Sequence, residues 1–192
     1  MDLEEKPKGK LRTGFTTGTS ATAASMAAIL SIINQKKIEF VDVLLPKKDY
    51  IKININSCEF DKSKARCSVI KDGGDDPDVT HGAEIVVDLE LTSKLNSIEI
   101  DGGEGVGRVT KPGIGLDIGQ AAINPTPRKM IGENLTKVSK KILEKNGIKV
   151  VISVPKGKEL GPKTDNPRIG IVDGISILGT SGIVIPYSTA SF

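Results

Sequence analysis

The sequence predicts an α+β (mixed α/β) fold: a mixed β-sheet, barrel-like in its closure, with two main helices and without the alternation of a regular Rossmann domain. Three observations lead there. Only two segments, 19–35 and 127–145, carry helical signals. About eight short segments read as strands, some of them alternating. Glycine accounts for 21 of 192 residues, about 11% against a usual ~7%, so much of the backbone is loop.

The first helix is expected from Thr19 to Gln35. Ala21, Ala23, Ala24, Ala27 and Ala28 favour helix, and Ile29, Leu30, Ile32 and Ile33 give it an apolar face. Thr16, Thr17 or Thr19 can cap its start. Strands follow near 38–45, 50–56, 65–71, 83–91 and 96–101. Within them "YIKININ" alternates apolar and polar residues, as "EIVVDLEL" does in part. A weaker strand signal lies at 106–110. The second helix is expected from Pro127 to Lys145, with Thr126 as N-cap and Asn146-Gly147 as its stop. Met130, Ile131, Leu135, Val138, Ile142 and Leu143 form its buried stripe. Strands near 148–154, 168–173 and 181–186 complete the chain, which is read as a single domain over residues 1–192.

Composition excludes several classes. Lys+Arg 27 against Asp+Glu 24 gives a net charge of +3, short of a nucleic-acid-binding excess. Aromatic residues are 3% with no Trp, too few for a base-stacking platform. No apolar run reaches the ~18 residues a membrane span needs. Asp2, Glu4, Glu5 and the polar "TTGTS" spoil an export signal. Cys58 and Cys67 are too few for a disulfide scaffold or a cysteine-based zinc site and fit a reduced, cytoplasmic protein. The charge is segregated: residues 72–104 hold ten acidic groups and one Lys, and residues 128–168 hold eleven basic groups and four acidic ones. Such blocks face solvent, pair with each other, or shape a ligand site with a basic wall for anions.

Five stretches can carry chemistry. "RTGFTTGTS" (12–20) brings glycines and hydroxyls to a helix start, where exposed N–H groups suit a carboxylate or phosphate; an ordinary capped helix is the plainer reading. "KDGGDDPDVTHG" (71–82) sets Asp72, Asp75, Asp76 and Asp78 before the single histidine, His81. Clustered carboxylates raise one another's pKa, which would make one a proton acceptor, and they can also bind Ca²⁺ or Mg²⁺. The plain alternative is a solvated turn. "GGEGVGRVTKPGIG" (102–115) fails the dinucleotide fingerprint, because Arg108 or Thr110 falls where the third glycine belongs. It is expected to be a flexible loop with open N–H groups beside Glu104, Arg108 and Lys111. "AAINPTPRKMI" (121–131) places Arg128 and Lys129 in a first helical turn, against the helix dipole. The last stretch, 157–182, combines Lys163, Asp165, Asn166 and Arg168 with a glycine-rich exit.

Together, "LRTGFTTGTSATAAS", "KDGGDDPDVTHG", "GGEGVGRVTKPG", "AAINPTPRKMI" and "NPRIGIVDGISILGTSGIV" resemble, in order, the signature segments of the CbiD family, over about Leu11 to Val184. That family comprises the cobalt-precorrin-5B (C-1)-methyltransferases of anaerobic cobalamin (vitamin B12) biosynthesis. The resemblance implies S-adenosylmethionine as methyl donor, a tetrapyrrole acceptor that carries its own cobalt, and cobalt-precorrin-6A as product. No protein metal site is implied. It also implies that this chain corresponds to the family's N-terminal domain, with the C-terminal domain absent. On this reading Arg12, Thr16, Thr17, Thr19, Arg108, Lys111, Arg128, Lys129, Lys163 and Arg168 hold the carboxylated substrate. Gly103, Gly105 and Gly107 line the donor, and Asp75, Asp76, Asp78 and His81 are the catalytic candidates. Two rivals stand beside it: a tetrapyrrole-binding domain without catalysis of its own, and a metal-dependent hydrolase using the Asp72–Asp78 cluster.

Overall fold

The structure is a computed structural model and describes residues 9–188; Asp2, Glu4 and Glu5 lie outside that range. In chain order the elements are β1 (Gly14–Phe15), α1 (Thr17–Asn34), β2 (Phe40–Leu44), β3 (Tyr50–Asn54), β4 (Ser57–Phe60), β5 (Lys64–Ile70), β6 (Glu84–Thr92), β7 (Ile98–Gly102) and β8 (Arg108–Val109). Then follow α2 (Pro125–Val138), α3 (Lys140–Leu143), β9 (Gly147–Ser153), α4 (Gly157–Leu160), a 3₁₀ turn (Gly161–Lys163), α5 (Asn166–Ile169), β10 (Ile171–Val172) and β11 (Ile183–Val184).

Five strands form the main sheet in the order β4-β5-β6-β9-β7. Neighbours are antiparallel except β7 and β9, which are parallel. The sheet is open, so the expected barrel-like closure is corrected. Among the described residues its two ends, β4 and β7, pair with no further strand, and the remaining strands form separate pairs, β2-β3, β1-β11 and β8-β10.

Helix α1 packs against β4, β5 and β6 on one side and against β2 and α2 on others. It is buried nearly all round, from Thr17 through Ile29. Small side chains make this possible. Their hydroxyls stay satisfied inside the helix: Thr22 donates to the Gly18 carbonyl at 2.8 Å and Ser25 to that of Ala21 at 2.7 Å. The predicted face is partly right: Ile29 and Ile32 are buried, whereas Ile33 is exposed. The helix begins two residues earlier than expected, because Thr16 caps it by accepting from the Thr19 N–H at 3.1 Å.

Helix α2 starts at Pro125 with Asn124 as its N-cap residue, not at Pro127 after Thr126. Proline suits the first turn because that turn needs no N–H donors. The expected single helix breaks at Ser139, where the backbone leaves helical geometry (φ −125°, ψ 27°) and the hydroxyl turns back onto the Leu135 carbonyl at 2.5 Å. Two further differences are local. The strand expected at 168–173 shrinks to Ile171–Val172, because Asn166-Pro167 starts a helical turn that Gly170 ends at φ 83°. β4 went unforeseen because its four residues carry little pattern. It places Cys58 opposite Cys67; both are free thiols, and burial pushes the Cys67 thiol up.

Buried Asn134 joins the β2-β3 hairpin to α2. Its Oδ1 accepts from the Leu44 N–H at 2.9 Å, and its Nδ2 donates to the Leu44 carbonyl at 3.0 Å, as a neighbouring strand would. Asn134→Ala leaves both groups without partners and is expected to lower the unfolding free energy by about 1–3 kcal/mol, measured by urea denaturation.

Candidate ligand-binding face at one end of the sheet

Register fixes where the motif loops lie. Ile70 faces Glu84, Val86 faces Ser153, and Gly102 lies beside Ile152. The loops that follow β5, β7 and β9 therefore emerge at one end of the sheet. The N-termini of α1 and α2 join them there: the Phe15 N–H donates to the Asp72 carbonyl at 2.8 Å, and Arg128 reaches the Ile100 carbonyl at 2.9 Å. The segment 174–182 lies between the two groups, bonded to Gly18 and Thr17 on one side and bridged to Val106 and Ile123 on the other.

The first group is the acidic loop. Its aspartates are held apart, three of them by partners from distant parts of the chain. Asp72 pairs with the Arg12 guanidinium and accepts from the Gly74 N–H at 2.8 Å. Asp75 accepts from the Arg12 N–H at 2.6 Å, and Asp76 from the Tyr187 N–H at 2.8 Å. Asp78 pairs with Lys71 and takes the N–H and hydroxyl of Thr80 at 2.7 and 2.6 Å. For Asp72 and Asp78 the expected raising is corrected. The Arg12 hydrogen bond holds Asp72 below the usual carboxylate range. Burial alone would push Asp78 up, but the charge and hydrogen bond of Lys71 and the bonds from Thr80 outweigh it, so Asp78 also sits low. His81 stands at the loop's end, its side chain 52% exposed, with Nδ1 accepting from the Gly73 N–H at 3.0 Å.

The α1 N-terminus beside this loop is closed by the chain itself. The Gly18 N–H donates to the Leu178 carbonyl at 2.8 Å, the Thr19 N–H to Thr16, and the Thr19 hydroxyl to the Gly182 carbonyl at 2.7 Å. Thr17 and Thr19 are buried. The three threonines thus lock 176–182 onto the helix, in keeping with the plainer reading of an ordinary capped start.

The second group lies at the end of β7. The expectation of a flexible loop with open N–H groups is also corrected here. The N–H groups of Gly103 and Gly107 donate to the Ile152 and Ile175 carbonyls at 2.7 and 2.8 Å. A Cβ on Gly105 (φ +73°) would sit 1.8 Å from the Val154 carbonyl oxygen, because three backbone segments meet there. Gly103, Gly105 and Gly107 are therefore packing glycines. Arg108 and Arg128 both reach backbone carbonyls at the end of β7. Arg108 donates to the Gly102 carbonyl at 2.6 Å and lies 3.1 Å from Asp101; Arg128 donates to the Ile100 and Ile123 carbonyls at 2.9 and 3.0 Å. They satisfy the free edge of β7 as a further strand would. Burial, with Arg108 close by, lowers the Arg128 pKa.

The other predicted cations do not converge. Lys111, Lys129, Lys163 and Arg168 are exposed. Lys129 lies 3.9 Å from Glu133, and Arg168 3.5 Å from Asp165. Among the described residues, no ion pair links the 72–104 block to the 128–168 block. No three His, Cys, Asp or Glu side chains among the described residues are grouped to share a metal ion. A groove of about 550 Å³ lies on the uncovered sheet face among Arg66, Asp88, Glu90 and Lys149, toward the opposite end from these loops.

Sequence reasoning missed Lys71, which is 2% exposed and pairs with Asp78, and Ser176, whose hydroxyl donates to buried Asn166 at 2.9 Å and fastens the glycine-rich exit. Lys71 opens the acidic motif at the end of an apolar strand, and that placement was the available signal.

These features define an α+β domain whose polar loops gather at one end of an open, mostly antiparallel sheet. The chain belongs to the CbiD family, whose model matches residues 4–186. It is 48% identical over 191 residues to a cobalt-precorrin-5B C(1)-methyltransferase of Priestia megaterium, covering 100% of this chain and 52% of that protein. A protein of the same name from Geobacillus kaustophilus (strain HTA426) is 50% identical over 185 residues, 96% of this chain and 50% of that one. The 1.9 Å crystal structure of the cobalamin biosynthesis protein (cbiD) from Archaeoglobus fulgidus superposes with a TM-score of 0.70 at 37% identity, covering 94% of this chain and 57% of that chain. The chain spans about half the length of the curated relatives it matches.

Two consequences are measurable. Lys71→Met strands a largely buried carboxylate and is expected to cost about 3 kcal/mol of stability, read by chemical denaturation. Asp72 and Asp78 have folded pKa values below their unfolded ones. The stability they lend is therefore complete above the unfolded carboxylate value of about 4 and is lost as pH falls through the folded values. The melting temperature should fall with acid in that window, and Asp78→Asn should make the fall shallower.

Proposed function

We propose that this chain takes part in S-adenosylmethionine-dependent methyl transfer to C-1 of cobalt-precorrin-5B, giving cobalt-precorrin-6A in cytoplasmic cobalamin biosynthesis. The observation that carries this reading is near-50% identity, along almost the whole chain, to proteins named for that reaction. S-adenosylmethionine supplies an electrophilic methyl: a ring carbon's electron pair forms the new bond, the S–CH₃ bond breaks, and S-adenosylhomocysteine and one proton are released. Such a transfer needs orientation and placed charge more than a covalent enzyme intermediate.

The end of the sheet offers what a carboxylated macrocycle requires. Ile70 at the end of β5 and Val79, Leu178 and Ile185 in the loops of the first group are exposed, as are Ile118 after β8, Ile169 at the end of α5 and Val172 in β10. Exposed apolar side chains concentrated there suit a flat ring, with Arg12, Arg108, Arg128 and the dispersed lysines around them for its carboxylates. Asp75 and Asp76 each hold one backbone N–H through one oxygen. Their carboxylates suit a sulfonium or a departing proton, whereas Asp78 is committed to Lys71. Among the described residues, no helix is long and apolar enough to cross a membrane.

The chain's coverage of only half of each relative favours a second reading, in which it holds the tetrapyrrole and the donor binds elsewhere. Calorimetric titration with S-adenosylhomocysteine separates the two. Micromolar binding to the folded chain is expected if the donor pocket lies here. Its absence, with tetrapyrrole binding retained, supports the second reading.

A further inference from the structure

His81 lies close to an aspartate, and that pairing suggests a histidine base held by a carboxylate. In that arrangement the carboxylate accepts Nδ1–H, and Nε2 is left with a lone pair to take a proton. The geometry here is the reverse. Nδ1 stands 3.7 Å from the Asp72 Oδ1, too far for a hydrogen bond, and that oxygen already accepts from the Gly74 N–H at 2.8 Å. Nδ1 instead accepts from the Gly73 N–H at 3.0 Å. A nitrogen that accepts carries no proton, so the neutral ring keeps its hydrogen on Nε2. The loop holds this arrangement firmly. The His81 N–H donates to the Asp78 carbonyl at 3.0 Å, Asp78 is held by Lys71 and Thr80, and Asp72 is held by Arg12. Among the described residues Nε2 has no partner, and the ring is half exposed on the face where the motif loops gather.

We propose that His81 binds a carboxylate of the small-molecule ligand by donating Nε2–H, and that it does not act as the proton acceptor. This rests on the functional reading above and adds to it the group that His81 recognises. Both reactants of that reading carry carboxylates: the macrocycle at its rim, and the donor at its amino-acid end. The chemistry is the same for either, and the test separates the sources.

The test exploits two amides that each replace one ring nitrogen. Asn in place of His81 offers an acceptor near Nδ1 and nothing at Nε2; Gln offers a donor near Nε2 and nothing at Nδ1. The full chain and its His81→Gln, His81→Asn and His81→Ala variants are titrated with uroporphyrin, a stable polycarboxylated tetrapyrrole, and separately with S-adenosylhomocysteine. Circular dichroism confirms that each variant is folded. His81→Asn and His81→Ala are expected to bind one probe about tenfold more weakly, while His81→Gln stays within about threefold of the unaltered chain. The affected probe identifies which carboxylate His81 meets. Retention by His81→Asn with loss by His81→Gln would show that the ring only fastens the loop and would overturn the proposal. So would equal binding by all variants, which leaves the functional reading standing. If the unaltered chain binds neither probe, both this proposal and the functional reading fall.

Discussion

The constraint on which the structure depends is the burial of α1 around nearly its whole circumference. A helix with large side chains on every face would hold its neighbours too far apart for their loops to meet. With Ala, Ser, Thr and Gly facing outward, the sheet, α2 and the returning C-terminal segment all approach its backbone closely. Gly18 shows how closely: a Cβ there would lie 2.8 Å from both the Leu178 carbonyl oxygen and the Pro127 ring. The hydroxyls that make the helix small are bonded to its own carbonyls or to the segment that covers it, so this burial leaves no polar side-chain atom unsatisfied among the described residues.

The same economy governs the polar loops. The acidic motif keeps its shape because each carboxylate meets an N–H or a cation: Arg12 before α1, Lys71 at the motif's own start, and Tyr187 beyond β11. These contacts tie the first and last parts of the described chain to one loop. They also separate the motif's residues by role. Asp72 and Asp78 are ionised struts, Asp75 and Asp76 are tethered by one oxygen, and His81 is held through Nδ1 with its ring half exposed. At the end of β7 the two arginines satisfy the carbonyls of an edge strand, and the glycines let three backbones touch.

Much of this was legible in the sequence. Helical and alternating periodicity located α1, α2 and most strands of the main sheet within a few residues, because burial of one face imposes those periods. The failures have local causes. Ser139 breaks a helix whose apolar stripe continues past it, since a hydroxyl competing for the Leu135 carbonyl leaves no trace in hydrophobic spacing. Asn166-Pro167 turned an expected strand into a helical turn, as proline fixes φ whatever apolar residues follow. β4 was too short to show a pattern.

By itself the sequence determined the two longest helices and most strands of the main sheet, the family and the motif segments that gather at one end of the sheet. Each of those follows from residue order over short stretches. Only the tertiary structure decided that the sheet stays open, that the threonines close the helix start rather than leave it for an anion, and that the glycines pack rather than flex. It alone decided which carboxylates are tied and which nitrogen of His81 meets the Gly73 N–H. The reason is physical. A side chain's chemistry depends on the partner it meets, and Arg12 and Asp72, Asp76 and Tyr187, or Gly105 and Val154 meet only when residues far apart in the chain are brought together by the fold.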